Sequence, residues 1–125
     1  MSKYWIFDRE DTPQGFPLRA LIARIRELAC DGACQFLIRR SQGYGEQVCR
    51  WDEMLDQADE ISVSADELDT LSRGTEEWFY NLDARCVTPT MTIGFGVHDS
   101  SALFVDAPSE LADQIAVRFK KVQIA

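Results

Sequence analysis

The chain has 125 residues, 46% of them hydrophobic and 27% charged, and a formal net charge of −8. That length suits a single domain, 1–125, with one core; the acidity argues against direct contact with nucleic acid, which needs clustered Lys and Arg, and no apolar run approaches the ~18 residues of a membrane span. Met1-Ser2-Lys3-Tyr4-Trp5-Ile6-Phe7 leads into charges, unlike a secretory leader. A cytoplasmic, reducing setting is therefore expected, with Cys30, Cys34, Cys49 and Cys86 as free, buried thiols.

The apolar run within Lys3 to Asp8 predicts an opening strand, ended by the polar stretch Asp11 to Gly15. Pro17 suits a first helical position, and Leu18, Leu21, Ile22, Ile25, Leu28 and Ala29 recur at helical spacing, with Gly32 as a natural stop. Gln35 to Arg40 and Glu46 to Trp51 predict two strands of a hairpin, joined by a turn at Ser41 to Gly45 whose glycines supply positive φ. Ile61 to Val63 predicts a short strand.

Ser64 and Glu67 have the spacing of a capping box, which opens a helix. Leu68, Leu71, Trp78, Phe79 and Leu82 fit that helix with a break near Gly74, although Trp78, Tyr80 and Leu82 also alternate as a strand would. Met91, Ile93, Phe95 and Val97 alternate with Thr92, Gly94 and Gly96, the pattern of a strand with one apolar side. His98 to Ser101 turns the chain and Ala102 to Asp106 returns as a partner strand. Pro108 opens a last helix whose stripe is Leu111, Ile115, Phe119 and Val122. The order β-α-β-β-α-β-β-α predicts an α+β domain, an antiparallel or mixed sheet with about three helices packed on it.

No catalytic motif stands out, and the chain is not expected to be an enzyme or to carry a cofactor. His98 is the only imidazole, and Asp99, Ser100 and Ser101 adjoin it in a turn where side chains diverge instead of converging. The same imidazole is the only base of that type for a cysteine nucleophile. Cys30 and Cys34 have a C-x3-C spacing, but Cys49 and Cys86 lie far away in the chain, so no zinc set is expected. The glycines near Tyr44 lack the Gly-Lys-Ser/Thr of a phosphate loop, and Asp52 to Glu67 contains no glycine for a calcium loop.

Charge is concentrated. Between Asp52 and Glu77 ten acids face the single base Arg73, a net −9, while the remainder, with eleven acids and twelve bases, carries +1. Interspersed charges would serve solubility with less self-repulsion, so the concentration points to a basic protein partner. The expected contacts are Asp52, Glu53, Asp56, Asp59, Glu60, Asp66 and Asp69, with Trp51 and Trp78 as aromatic anchors beside them. In its bulk profile of small size, acidity and a single domain, the chain resembles bacterial toxin-immunity proteins. The resemblance implies an antitoxin-type inhibitor, monomeric or homodimeric, whose acids cover the substrate-binding surface of a nuclease toxin. A DNA-mimic inhibitor and a small enzyme using His98 or a cysteine are the alternatives, and a self-associating subunit with an apolar face near Trp78 is a third.

Overall fold

The computed structural model describes residues 1–30 and 34–125, so the expected stop at Gly32 lies outside the described residues. In chain order the elements are β1 (Ser2–Ile6), α1 (Leu18–Ala29), β2 (Gln35–Tyr44), α2 (Glu46–Leu55), β3 (Ile61–Val63), α3 (Ala65–Ser72), β4 (Trp78–Val87), β5 (Thr92–His98), β6 (Ala102–Ala107), α4 (Ser109–Ala116) and β7 (Val122–Ile124). The strands form one sheet in the order β3-β2-β4-β5-β6-β1-β7, with every pairing antiparallel. The class is α+β, with four helices among the described residues and a larger sheet than the sequence pattern implies.

Directly opposed residues share a face, so the registers locate the core. Ile38, Ala84, Phe95 and Val105 form one row across β2, β4, β5 and β6. Phe36, Cys86 and Ile93 form another, and all of these are buried. The helices supply Leu18, Leu21, Ile22 and Ile25 from α1, Val48 and Trp51 from α2, Leu68 and Leu71 from α3, and Ala112 and Ile115 from α4. On the other face Leu37, Arg85, Gly94, Asp106 and Lys3 form a row of intermediate exposure.

Three expectations change. The segment Glu46 to Trp51 is helix, not strand: Val48, Trp51 and Leu55 stand three and four apart, and the window that ends at Trp51 cuts that periodicity short. The expected turn at Ser41 to Gly45 is mostly strand, since β2 continues to Tyr44 against β4 through two register shifts. Gly43 serves close approach there, because a Cβ would collide with the Trp78 backbone. Finally, Trp78 to Leu82 belongs to β4, not to a continued helix; α3 stops at Ser72, and Gly74 at φ 66° turns the chain away. The last helix also ends early, at Ala116, and Val122 joins the short edge strand β7 against β1.

A buried side chain completes the sheet where β5 ends. The β4–β5 register stops at Leu82 and Val97, leaving the Phe79 backbone without a strand partner on that side. The Gln14 amide fills the position, donating to the Phe79 carbonyl oxygen and accepting from the Phe79 N–H, each at 2.8 Å. Gln14→Ala leaves both groups buried and unpaired, and is expected to cost about 2–3 kcal/mol. Chemical denaturation checks this; a midpoint equal to that of the parent chain would remove Gln14 from the account.

Candidate interaction surface

The acids of 52–77 divide by what they do in the fold. Glu67 closes the expected capping box: its N–H donates to Ser64 Oγ at 3.0 Å, and its carboxylate accepts from the Ser64 N–H at 3.1 Å. Glu77, immediately before β4, reaches back to the first turn of α2, accepting from the Gln47 and Val48 N–H groups at 2.8 and 3.0 Å. Charge and hydrogen bonding both favour a carboxylate at a helix N-terminus. Gly45 makes this reach feasible, since a Cβ there would occupy the space of the Glu77 side chain. Asp69 pairs with Arg19 at 3.5 Å.

The other seven, Asp52, Glu53, Asp56, Asp59, Glu60, Asp66 and Glu76, are exposed. Among the described residues their carboxylates make no hydrogen bond or ion pair. Asp52, Glu53 and Asp56 occupy the C-terminal end of α2, where the helix dipole disfavours negative charge by about 0.3–1 kcal/mol per group. Asp52 and Asp56 also stand four apart, a like-charge spacing that weakens a helix. Helix stability therefore does not account for them. Asp66, in the first turn of α3, is the exception, because the dipole favours it there.

At the N-terminal end of α2, α2 and α3 flank a groove of about 400 Å³ lined by Gln47, Asp66, Glu67, Thr70, Leu71 and Glu77, which Asp66 alone of the seven reaches. A second, of about 570 Å³, shares Glu77 and is walled by Tyr44, Glu46, Cys49 and Glu76. Tyr44, 56% exposed, stacks on Trp78 with ring centroids 4.5 Å apart. Carboxylates lining a concavity beside an aromatic plate can accept lysine or arginine side chains. No family model, curated protein or solved structure matches the chain. Among the described helices none is long and apolar enough to cross a membrane.

The two tryptophans part company. Trp78 is half-buried beside the groove, whereas Trp51 is 1% exposed and stacks on Phe79 in the core, so the expectation of Trp51 as a contact is corrected. The His98 to Ser101 segment is a turn whose polar groups serve the backbone: Ser101 Oγ donates to the His98 carbonyl at 2.7 Å and Asn81 Oδ1 accepts from the Asp99 N–H at 2.9 Å. His98 is exposed, its ring 5.3 Å from that of Trp5.

The cysteines also differ from expectation. Cys30 and Cys34 form a disulfide, and Cys49 is exposed; neither result matches free, buried thiols. Cys86 is buried and free, with its Sγ 3.4 Å from that of Cys30. Burial pushes the Cys86 thiol up to about 11, opposed by the positive charge of Arg26.

The reach of Glu77 to α2 and the stacking of Tyr44 on Trp78 join residues 29 to 34 positions apart, and no local pattern announces either. The glycine immediately before Glu46 was the one available signal.

Proposed function

We propose that the chain is a protein-binding module of the immunity type, an inhibitor that masks a basic, nuclease-like partner with its acidic surface. The observation that carries this reading is the set of exposed carboxylates at the end of α2, Asp52, Glu53 and Asp56, placed where they oppose the helix they belong to. Asp59, Glu60 and Asp66 extend the surface, with Trp78 and Tyr44 as its aromatic anchors. Asp69 contributes less, since Arg19 already partners it. Basic side chains on the partner would be steered in by the field of the patch and then held in the groove around Glu77.

Copurification from the native host, followed by mass spectrometry, identifies the partner. Replacement of Asp56, Asp59 and Asp66 together by alanine is then expected to weaken the complex by at least about tenfold. Thermal stability should change little, because the Asp56 and Asp59 carboxylates make no bond within the described fold. Unchanged affinity would contradict the acidic-patch mechanism. Capture of several unrelated nucleic-acid-binding proteins would replace it with DNA mimicry.

A further inference from the structure

We propose that Cys30, Cys34 and Cys86, once the Cys30–Cys34 disulfide is reduced, form a three-thiolate site for a soft cation of the Zn²⁺ class. Cys30 caps the C-terminal end of α1, Cys34 immediately precedes β2, and Cys86 lies on β4 opposite Phe36. Their Sγ atoms all lie within 4.8 Å of one another. The C-x3-C spacing alone offers two ligands; folding adds the third from 52 positions beyond Cys34.

Thiol–disulfide exchange is the other chemistry three sulfurs could serve, and the arrangement disfavours it. Attack by Cys86 on Cys30 Sγ would need the three sulfurs in line. With 3.4 Å between Cys86 and Cys30 and a disulfide bond of about 2.05 Å, Cys86 and Cys34 would then stand about 5.4 Å apart. They are within 4.8 Å, so the sulfurs form a triangle. A triangle suits a shared ion: at zinc–sulfur distances of about 2.3 Å, tetrahedral ligands are about 3.8 Å apart. The Cys30–Cys86 separation of 3.4 Å is already close to that, and only the Cys30–Cys34 pair has to part.

The surroundings balance the charge. Three thiolates and a divalent ion sum to −1, and Arg26 lines the adjoining cavity of about 470 Å³ with Glu27, Cys30 and Cys34. Among the described residues the cluster supplies three ligand atoms, and the cavity reaches two of them, Cys30 and Cys34, so that water or an external ligand could complete the coordination. A dithiol reductant supplies two electrons and two protons to the disulfide and leaves as its own disulfide. Binding of the ion then forms three metal–sulfur bonds and releases three protons to solvent.

The test uses the full chain, reduced with a phosphine that is itself oxidised to the phosphine oxide, and titrated anaerobically with Co²⁺ and then Zn²⁺. Thiolate-to-cobalt charge-transfer absorption should saturate at one equivalent and disappear on addition of zinc. Loss of a ligand in Cys86→Ser or Cys34→Ser should weaken binding by more than the roughly 10–100-fold that loss of an outer-shell partner costs, while Cys49→Ser leaves it unchanged. The disulfide form should show no such absorption. If Cys86→Ser fails to fold, Cys34→Ser, a change at a half-exposed position, decides the question. Absence of the band in the reduced parent chain, or its persistence undiminished in Cys34→Ser or in the disulfide form, would overturn the site.

Discussion

Trp51→Ala is expected to lower stability by about 3–5 kcal/mol, the range for deletion of a large aromatic side chain from a packed core. Trp51 is 1% exposed and is the largest of the fully buried side chains. It stacks on Phe79 at a centroid separation of 6.3 Å and so joins α2 to the middle of the sheet. Since domains of this size are stable by about 5–15 kcal/mol, the loss takes a large share of the total. Thermal unfolding should show a fall in Tm on the order of 10–20 °C. Trp78→Ala makes the contrast. Trp78 is half-buried and its stack on Tyr44 lies at the surface, so its removal should cost about 1 kcal/mol. Equal destabilisation by the two substitutions would contradict the division into core and surface tryptophan.

Gly45→Ala adds a single methyl group and is expected to cost about 2–4 kcal/mol. Two causes combine. The backbone at Gly45 has φ 125°, a region that side chains rarely adopt, and the new Cβ would meet the Glu77 side chain. Displacing Glu77 in turn exposes the Gln47 and Val48 N–H groups that it caps. Glu77→Ala removes only the cap and should cost about 1 kcal/mol. The double variant should therefore lose less than the sum of the two, because the collision is gone when Glu77 is already absent. Additive losses, read from denaturant midpoints, would show that the two residues act independently.

Elements with a complete local signature were legible in the sequence. Met91 to Val97 alternates cleanly, and β5 runs from Thr92 to His98; Ser64 and Glu67 form the capping box of α3; Leu18 to Ala29 carries its apolar stripe and is α1. The errors fell where a local pattern was short or ambiguous. Glu46 to Trp51 holds too few apolar residues to distinguish a period of two from one of 3.6, and Trp78 to Leu82 satisfies both until the β-bulge opposite Gln42 and Gly43 is known. Of the acidic segment, the concentration was visible and its internal division was not. The cap supplied by Glu77 and the pairing of Asp69 with Arg19 depend on contacts across 30 and 50 positions. Cys86 comes near Cys34 and Cys30 for the same reason: β4 lies beside β2, which begins immediately after Cys34.

Among the described residues five of the seven acids without a carboxylate partner, Asp52, Glu53, Asp56, Asp59 and Glu60, lie at the end of α2 and in the turn after it, with Asp66 and Glu76 apart from them, which narrows a charge of −9 spread over 26 residues to a few side chains. The central claim is that these side chains steer a basic partner onto this surface. Its most direct measurement is the association rate of the copurified complex as ionic strength rises from about 10 mM to 1 M, a range over which the Debye length falls from about 30 to 3 Å. For the parent chain the rate is expected to fall by at least tenfold across that range. A much shallower dependence is expected once Asp52, Asp56 and Asp59 are replaced by asparagine. An association rate independent of salt, or equally salt-dependent in both proteins, would contradict it.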